Sequence, residues 1–179
     1  LEFRRVLFRS NSGTTIRTLL AASVNGSLYP LMAIRTATTN DFTKRALVIP
    51  TKITINLTTL GTGPTAYRWA LVLGPTTLTS ATFAVFGSEL VDVDQALSSS
   101  TAIAGGITVA SGLLSHVANS NNVIDLNYMQ NNFLQATQNA AGSLTTTGAH
   151  IWAVCVGPLG ANSSAAPTLF CTLDWKELI

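Results

Sequence analysis

Charge is what this chain has least of. Asp, Glu, Lys and Arg together make up 10% of its 179 residues, against roughly a quarter in an ordinary soluble domain. A lone soluble subunit so poor in charge tends to associate, so much of its surface is expected to be buried against copies of itself. Histidine is almost missing too. His116 and His150 are the two present, and neither stands in an H-x-H or H-E-x-x-H pattern. A metal barrel built on a histidine cluster with a carboxylate is therefore not expected. No apolar run approaches the ~18 residues that a membrane span needs, and no segment reads as a signal peptide. No G-x-S-x-G elbow occurs, and Gly105-Gly106 lacks the lysine and spacing of a phosphate loop. An enzyme is the least expected class, and no catalytic residue, cofactor, metal ion or small-molecule substrate is expected.

The net charge of +2 comes from one end. Residues 1–10, LEFRRVLFRS, hold Arg4, Arg5 and Arg9 against Glu2, which is 3 − 1 = +2. The remaining residues carry seven basic and seven acidic side chains and are neutral. That decapeptide resembles, over its whole length, the translation of a common sequencing-library adapter. It is set aside as a scar of sequence assembly, and native sequence is expected to precede Asn11. The division expected is residues 1–10 as scar, 11–45 as a segment leading into the first strands, and 46–179 as the body of one domain.

What is present in quantity is short apolar alternation. Lys52 to Thr58 alternates strictly, with Ile53, Ile55 and Leu57 on one face and polar residues on the other. Period two marks a half-buried antiparallel strand. Gly61-Thr62-Gly63-Pro64 breaks the run, and Tyr67 to Leu73 follows, apolar at almost every position. Such a strand is covered on both sides or lies at a subunit contact. The pair reads as a hairpin. His150 to Gly157 is a second two-faced apolar strand, and Thr168 to Lys176 alternates again. Ile103 to Ala110 reads as a strand whose Gly105-Gly106 marks a bulge or a close backbone approach. Leu28 to Thr36 reads as an edge strand because Pro30 interrupts it, and Pro50 is expected to end the apolar run from Arg45. Thr14 to Val24 fits a strand or a short helix, Glu89 to Leu97 one or two helical turns or a loop, and Ser111 to Asn122 mostly a connection. Val123 to Leu126 and Tyr128 to Leu134 are candidate short strands, and Gln135 to Gly148 a loop. Eight or so strands without an internal repeat argue for an all-β sandwich or barrel.

Few side chains invite chemistry. Asp92 and Asp94 would share a face in a strand and could form a cation site or an acid/base pair, but two carboxylates without further oxygen ligands are a weak signal, and a solvated or interface loop is the favoured reading. Trp69, Trp152 and Trp175 all fall on strands and are expected to pack in a core or subunit contact rather than stack on sugar. Asn25-Gly26-Ser27, Asn56-Leu57-Thr58 and Asn162-Ser163-Ser164 match the glycosylation triplet, as chance allows in a chain rich in Asn, Ser and Thr. Cys155 and Cys171 are expected to be free buried thiols. In a direct hairpin they would be near partners; on opposite sheets, roughly 10 Å apart, they could not bond.

From Thr51 onward the order of features resembles the capsid proteins of small circular single-stranded DNA viruses, the circovirus-like CRESS group. The residues that carry the resemblance are the KITINL strand, Arg68 to Pro75 (RWALVLGP), the strand around Ile103 to Ser111, and the final pair HIWAVCVG and TLFCTLDW. Thr147-Gly148-Ala149 departs from the family, which often has a Gly-Asp pair there. The resemblance implies a single jelly-roll sandwich of two four-stranded antiparallel sheets, with at most one or two short helices in loops. It implies a coat protein that self-assembles with its own copies into an icosahedral shell around a viral genome, placed in the virion and, during assembly, in the host cell. The family's arginine-rich arm is not present in residues 11–50, where Arg17, Arg35, Lys44 and Arg45 are the only basic residues. These four are weak nucleic-acid candidates. A phosphate backbone is held by concentrated Lys and Arg, so genome contact is expected to belong to a missing N-terminal arm. Two rivals remain: the shell domain of a small RNA virus, and a cellular oligomeric jelly-roll module of the tumour-necrosis-factor, C1q or lectin type.

Overall fold

A computed structural model describes residues 8–18, 23–36, 47–78, 81–86, 91–94, 101–127 and 151–178. Among the described residues there are ten strands and no α-helix: β1 (Phe8–Thr18), β2 (Tyr29–Thr36), β3 (Leu47–Thr59), β4 (Ala66–Leu73), β5 (Ala84–Phe86), β6 (Val91–Asp94), β7 (Ile107–Leu114), β8 (Ser120–Asp125), β9 (Ile151–Leu159) and β10 (Thr168–Leu178). They form two antiparallel sheets, one of four strands in the order β1-β10-β3-β8 and one of six in the order β5-β6-β2-β9-β4-β7.

Two equal sheets of four were expected, and the six-stranded sheet corrects that. Val91-Asp92-Val93-Asp94 is not helical; its alternation is period two, and Val91 and Val93 enter the core beside β2. With β5 it adds a short pair of strands to the side of β2 that would otherwise be open.

The step from β3 to β4 is not a hairpin. The two strands belong to different sheets, so residues 60–65 carry the chain across the sandwich. Their differing patterns are the physical reason. From Lys52 on, β3 alternates and buries Ile53, Ile55 and Leu57 on one face, whereas β4 is apolar on both faces and needs cover on both. The same crossing recurs along the chain, since β1, β3, β8 and β10 lie in one sheet and β2, β4, β7 and β9 in the other.

Both prolines read as interruptions instead sit inside long strands, at bulges. In β2, Pro30 pairs with Cys155 and Met32 with Val154, leaving Leu31 as the extra residue. The bulge turns both Leu31 and Met32 into the core. β2 lies between β6 and β9, but β6 pairs only with Ala33–Thr36, so among the described residues the stretch that holds Pro30 is paired on one side alone, as an edge is. In β3, Pro50 faces Trp175 and Lys52 faces Asp174, with the register shift between them. A bulge asks for one ladder hydrogen bond fewer, which is the bond that proline cannot donate.

β1 starts at Phe8, inside the adapter-like decapeptide, and pairs residues 8–10 with Leu178, Glu177 and Lys176. Those ladder bonds come from main-chain groups that every non-proline residue carries.

Between the sheets lies one core. Tyr29, Ile34, Ile53, Ile55, Leu57, Tyr67, Leu71, Val154, Val156, Leu169, Leu173 and all three tryptophans contribute to it. Each such side chain stabilises the fold by roughly 1.5–3 kcal/mol through removal of apolar surface from water. A second, smaller apolar layer covers the outer face of the six-stranded sheet. There Ala33, Ala70, Val72, Ile151, Ala153 and Cys155 pack under Leu28, Leu78, Phe83 and Ile103. The second face of β4 and β9 is thus covered in part by the chain's own loops.

Candidate functional site

Of the four basic candidates, Arg17 and Arg35 lie among the described residues, on different sheets. Arg17 lies in β1 of the four-stranded sheet and Arg35 in β2 of the six-stranded sheet; Lys44 and Arg45 lie outside the described residues. Arg35 is half-buried, with its guanidinium carbon 4.2 Å from the centre of the Phe83 ring, a cation–π contact that holds the loop before β5 against the sheet.

Asp94 serves the same loop. It is fully buried, and its Oδ2 accepts a hydrogen bond from the Thr82 backbone N–H. Asp92 stands opposite Arg35 in the β2–β6 register. Among the described residues no group of three or more His, Cys, Asp or Glu is placed to hold a metal ion. His116 stacks its ring 5.5 Å from that of Tyr67, whose hydroxyl accepts the Gly61 N–H at 3.2 Å. Burial raises the Tyr67 pKa. His150 lies outside the described residues.

Two further places were not legible as sites. One is the side of the sandwich where β7 and β8 are the last strands of the two sheets, with no further strand beside them among the described residues. Residues 115–119 join them, so both edges lie on one side. Asn119 takes a φ of 60° in that turn, and the Ser115 N–H donates to Asn122 Oδ1 at 2.8 Å. Leu113 is 70% exposed, Ile107 64%, Val117 61% and Val123 60%. No charged residue occurs from residue 95 to residue 124.

The other is a cavity of about 210 Å³ on the outer face of the six-stranded sheet, lined by Ser27, Arg68, Ile103, Gly105 and Thr108 among others. Arg68 projects from β4 between the outward Ala70 and the edge strand's Leu113, its register partner. Its Nη2 donates to the Gly26 carbonyl oxygen. Two asparagine clips hold the loop that carries Gly26. The Asn25 N–H donates to Asn162 Oδ1 at 2.7 Å, and the Gly160 N–H donates to Asn25 Oδ1 at 3.1 Å. The signal for Arg68 was a single cation within an otherwise apolar, two-faced strand.

No family model matches the chain, and no curated protein matches it. Among solved structures, one described as the crystal structure of the 60-mer BFDV capsid protein aligns with 100% of this chain and 95% of that chain, at 15% identity and a TM-score of 0.29. A likeness that slight carries no weight for fold or function.

Proposed function

We propose that the chain is a jelly-roll capsid subunit that self-assembles into an icosahedral shell around nucleic acid, of the single-stranded DNA virus group that its sequence resembles. The observation that carries this reading is the pair of open edges, β7 and β8, on one side of the sandwich. Soluble proteins shield open edges with Lys, Pro, bulges or a covering element. Here β7 has one bulge, at Val109, but among the described residues no element covers the two strands, and with their link they carry no charge before Asp125 and expose Ile107, Leu113, Val117 and Val123. An edge of that kind is made to be covered, and a further copy of the chain is the cover that few charges and many copies imply.

The strand order supports the finer fold. Leaving out β5 and β6 as an insertion, the sheets read β1-β10-β3-β8 and β2-β9-β4-β7, the order of an eight-stranded double Greek key. The neutral body would bind nucleic acid weakly, because it offers no concentration of Lys and Arg.

Electron microscopy of the purified protein, with light scattering, tests the reading. Closed shells are expected. Leu113→Lys and Val123→Lys, placed on the two edges, should leave folded subunits that no longer close. A well-behaved monomer at high concentration would overturn the proposal, and discrete trimers would favour a cellular oligomeric module instead.

A further inference from the structure

The outer-face cavity holds a cation, Arg68, that no acidic side chain among the described residues neutralises. No Asp or Glu lines the cavity, and among the described residues no carboxylate pairs with Arg68. The guanidinium spends one N–H on the Gly26 carbonyl. Its Nε is buried, and no acceptor among the described residues reaches it. A buried N–H left without an acceptor is costly, more so on a charged group. Ser27 and Thr108 bring hydroxyl-bearing side chains to the same lining. Gly105 and Gly106 follow one another with φ of 65° and 83°, so the backbone beside the cavity carries no side chain at those two positions.

We propose that this cavity is a binding site for a small oxyanion of the phosphate class, with Arg68 as its charged anchor. A phosphate oxygen accepts from a guanidinium in a charge-assisted bond, shorter and stronger than a neutral one. Arginine suits the task because its planar fork donates in more than one direction. One arm of the fork is already fixed on Gly26, which orients the rest. Gly26 is itself held by the Asn25–Asn162 clip, so the anchor is set before any ligand arrives. The ligand could be free phosphate or the phosphate of a nucleotide. The site does not depend on whether the chain forms a shell.

The test is titration of the full chain with inorganic phosphate, with deoxyadenosine monophosphate, and with sodium chloride at matched ionic strength, followed by thermal unfolding and by phosphorus NMR line width. A saturable rise in midpoint with phosphate and none with chloride is expected. Arg68→Gln should weaken that response at least about tenfold. Tighter binding of the nucleotide would identify a nucleotide source; equal binding would identify free phosphate. Should Arg68→Gln fail to fold, line broadening of phosphate by the unaltered chain, reversed by sulfate but not by chloride, keeps the question open to refutation. No saturable response to either phosphate compound, or an equal response in Arg68→Gln, would overturn the proposal and leave a hydrated surface pocket.

Discussion

Cys155 and Cys171 lie on β9 and β10, successive in the chain, yet they sit in opposite sheets and on different sides of one of them. Cys171 points into the space between the sheets, while Cys155 faces the outer apolar layer of the six-stranded sheet. Both are free and buried. Burial pushes the Cys171 thiol from 9.0 up to about 12 and drives Cys155 higher still, with the Cys171 charge adding to the effect there.

A thiol reagent should therefore fail to label the native chain at pH 8 and label both cysteines at once on unfolding. The pH dependence has a definite sign. Both thiols titrate higher in the folded state, so their contribution is fully present below pH 9 and is lost as pH rises from about 9 to about 12. Urea midpoints should fall over that range, and a Cys155→Ala, Cys171→Ala double variant should fall less steeply. Rapid labelling of the native protein would refute the assignment.

Trp175 is fully buried, and its Nε1–H donates to the buried Glu177 Oε1 at 2.9 Å. Trp175→Ala should cost about 3–5 kcal/mol in a urea titration. Trp175→Phe keeps a ring but removes one donor to a buried carboxylate, for about 1–3 kcal/mol. A double-mutant cycle with Glu177→Gln should give a clear coupling energy; additive losses would mean that the contact contributes nothing of its own.

Two glycines should respond in opposite ways. A Cβ on Gly157 would overlap the Ser27 carbonyl oxygen, which is backbone and cannot swing aside. Gly157→Ala should destabilise by about 1–3 kcal/mol. Gly26 has a φ of 78° with open space where a Cβ would go, so Gly26→Asn, a residue that tolerates left-handed backbone, should stay within about 0.5 kcal/mol. Equal losses at both would show that β9 does not press on the 27–28 backbone.

At the edges, Leu113→Lys and Val123→Lys replace side chains that are 70% and 60% exposed in the subunit. Each should change subunit stability by less than about 0.5 kcal/mol. A large drop in the melting midpoint of the isolated subunit would mean that these side chains already pack within the chain.

On the outer face of the four-stranded sheet, Lys52 Nζ lies 2.7 Å from Asp174 Oδ2, and the bond to Asp174 raises the lysine's pKa. Lys52 is well exposed, so the pair is screened by salt and should hold little of the fold together.

The strict alternation of Ile53, Ile55 and Leu57, and of Leu169, Cys171, Leu173 and Trp175, was enough to determine strands, because a period of two has no helical reading. The fully apolar runs around Trp69 and Trp152 implied cover on both faces or a subunit contact, and the structure packs the chain's own loops on the second face. What the sequence could not decide was partnership. Whether β3 turns back on β4 or crosses to the other sheet depends on which faces meet across the sandwich, a non-local matter that no run of residues encodes by itself. The place of Pro30 and Pro50 was decided the same way: a proline reads as a break until tertiary pairing supplies a bulge that needs no donor there. Arg68 followed suit, since only the fold brings Gly26, Gly105 and Thr108 around a cation that in the chain stands among apolar neighbours.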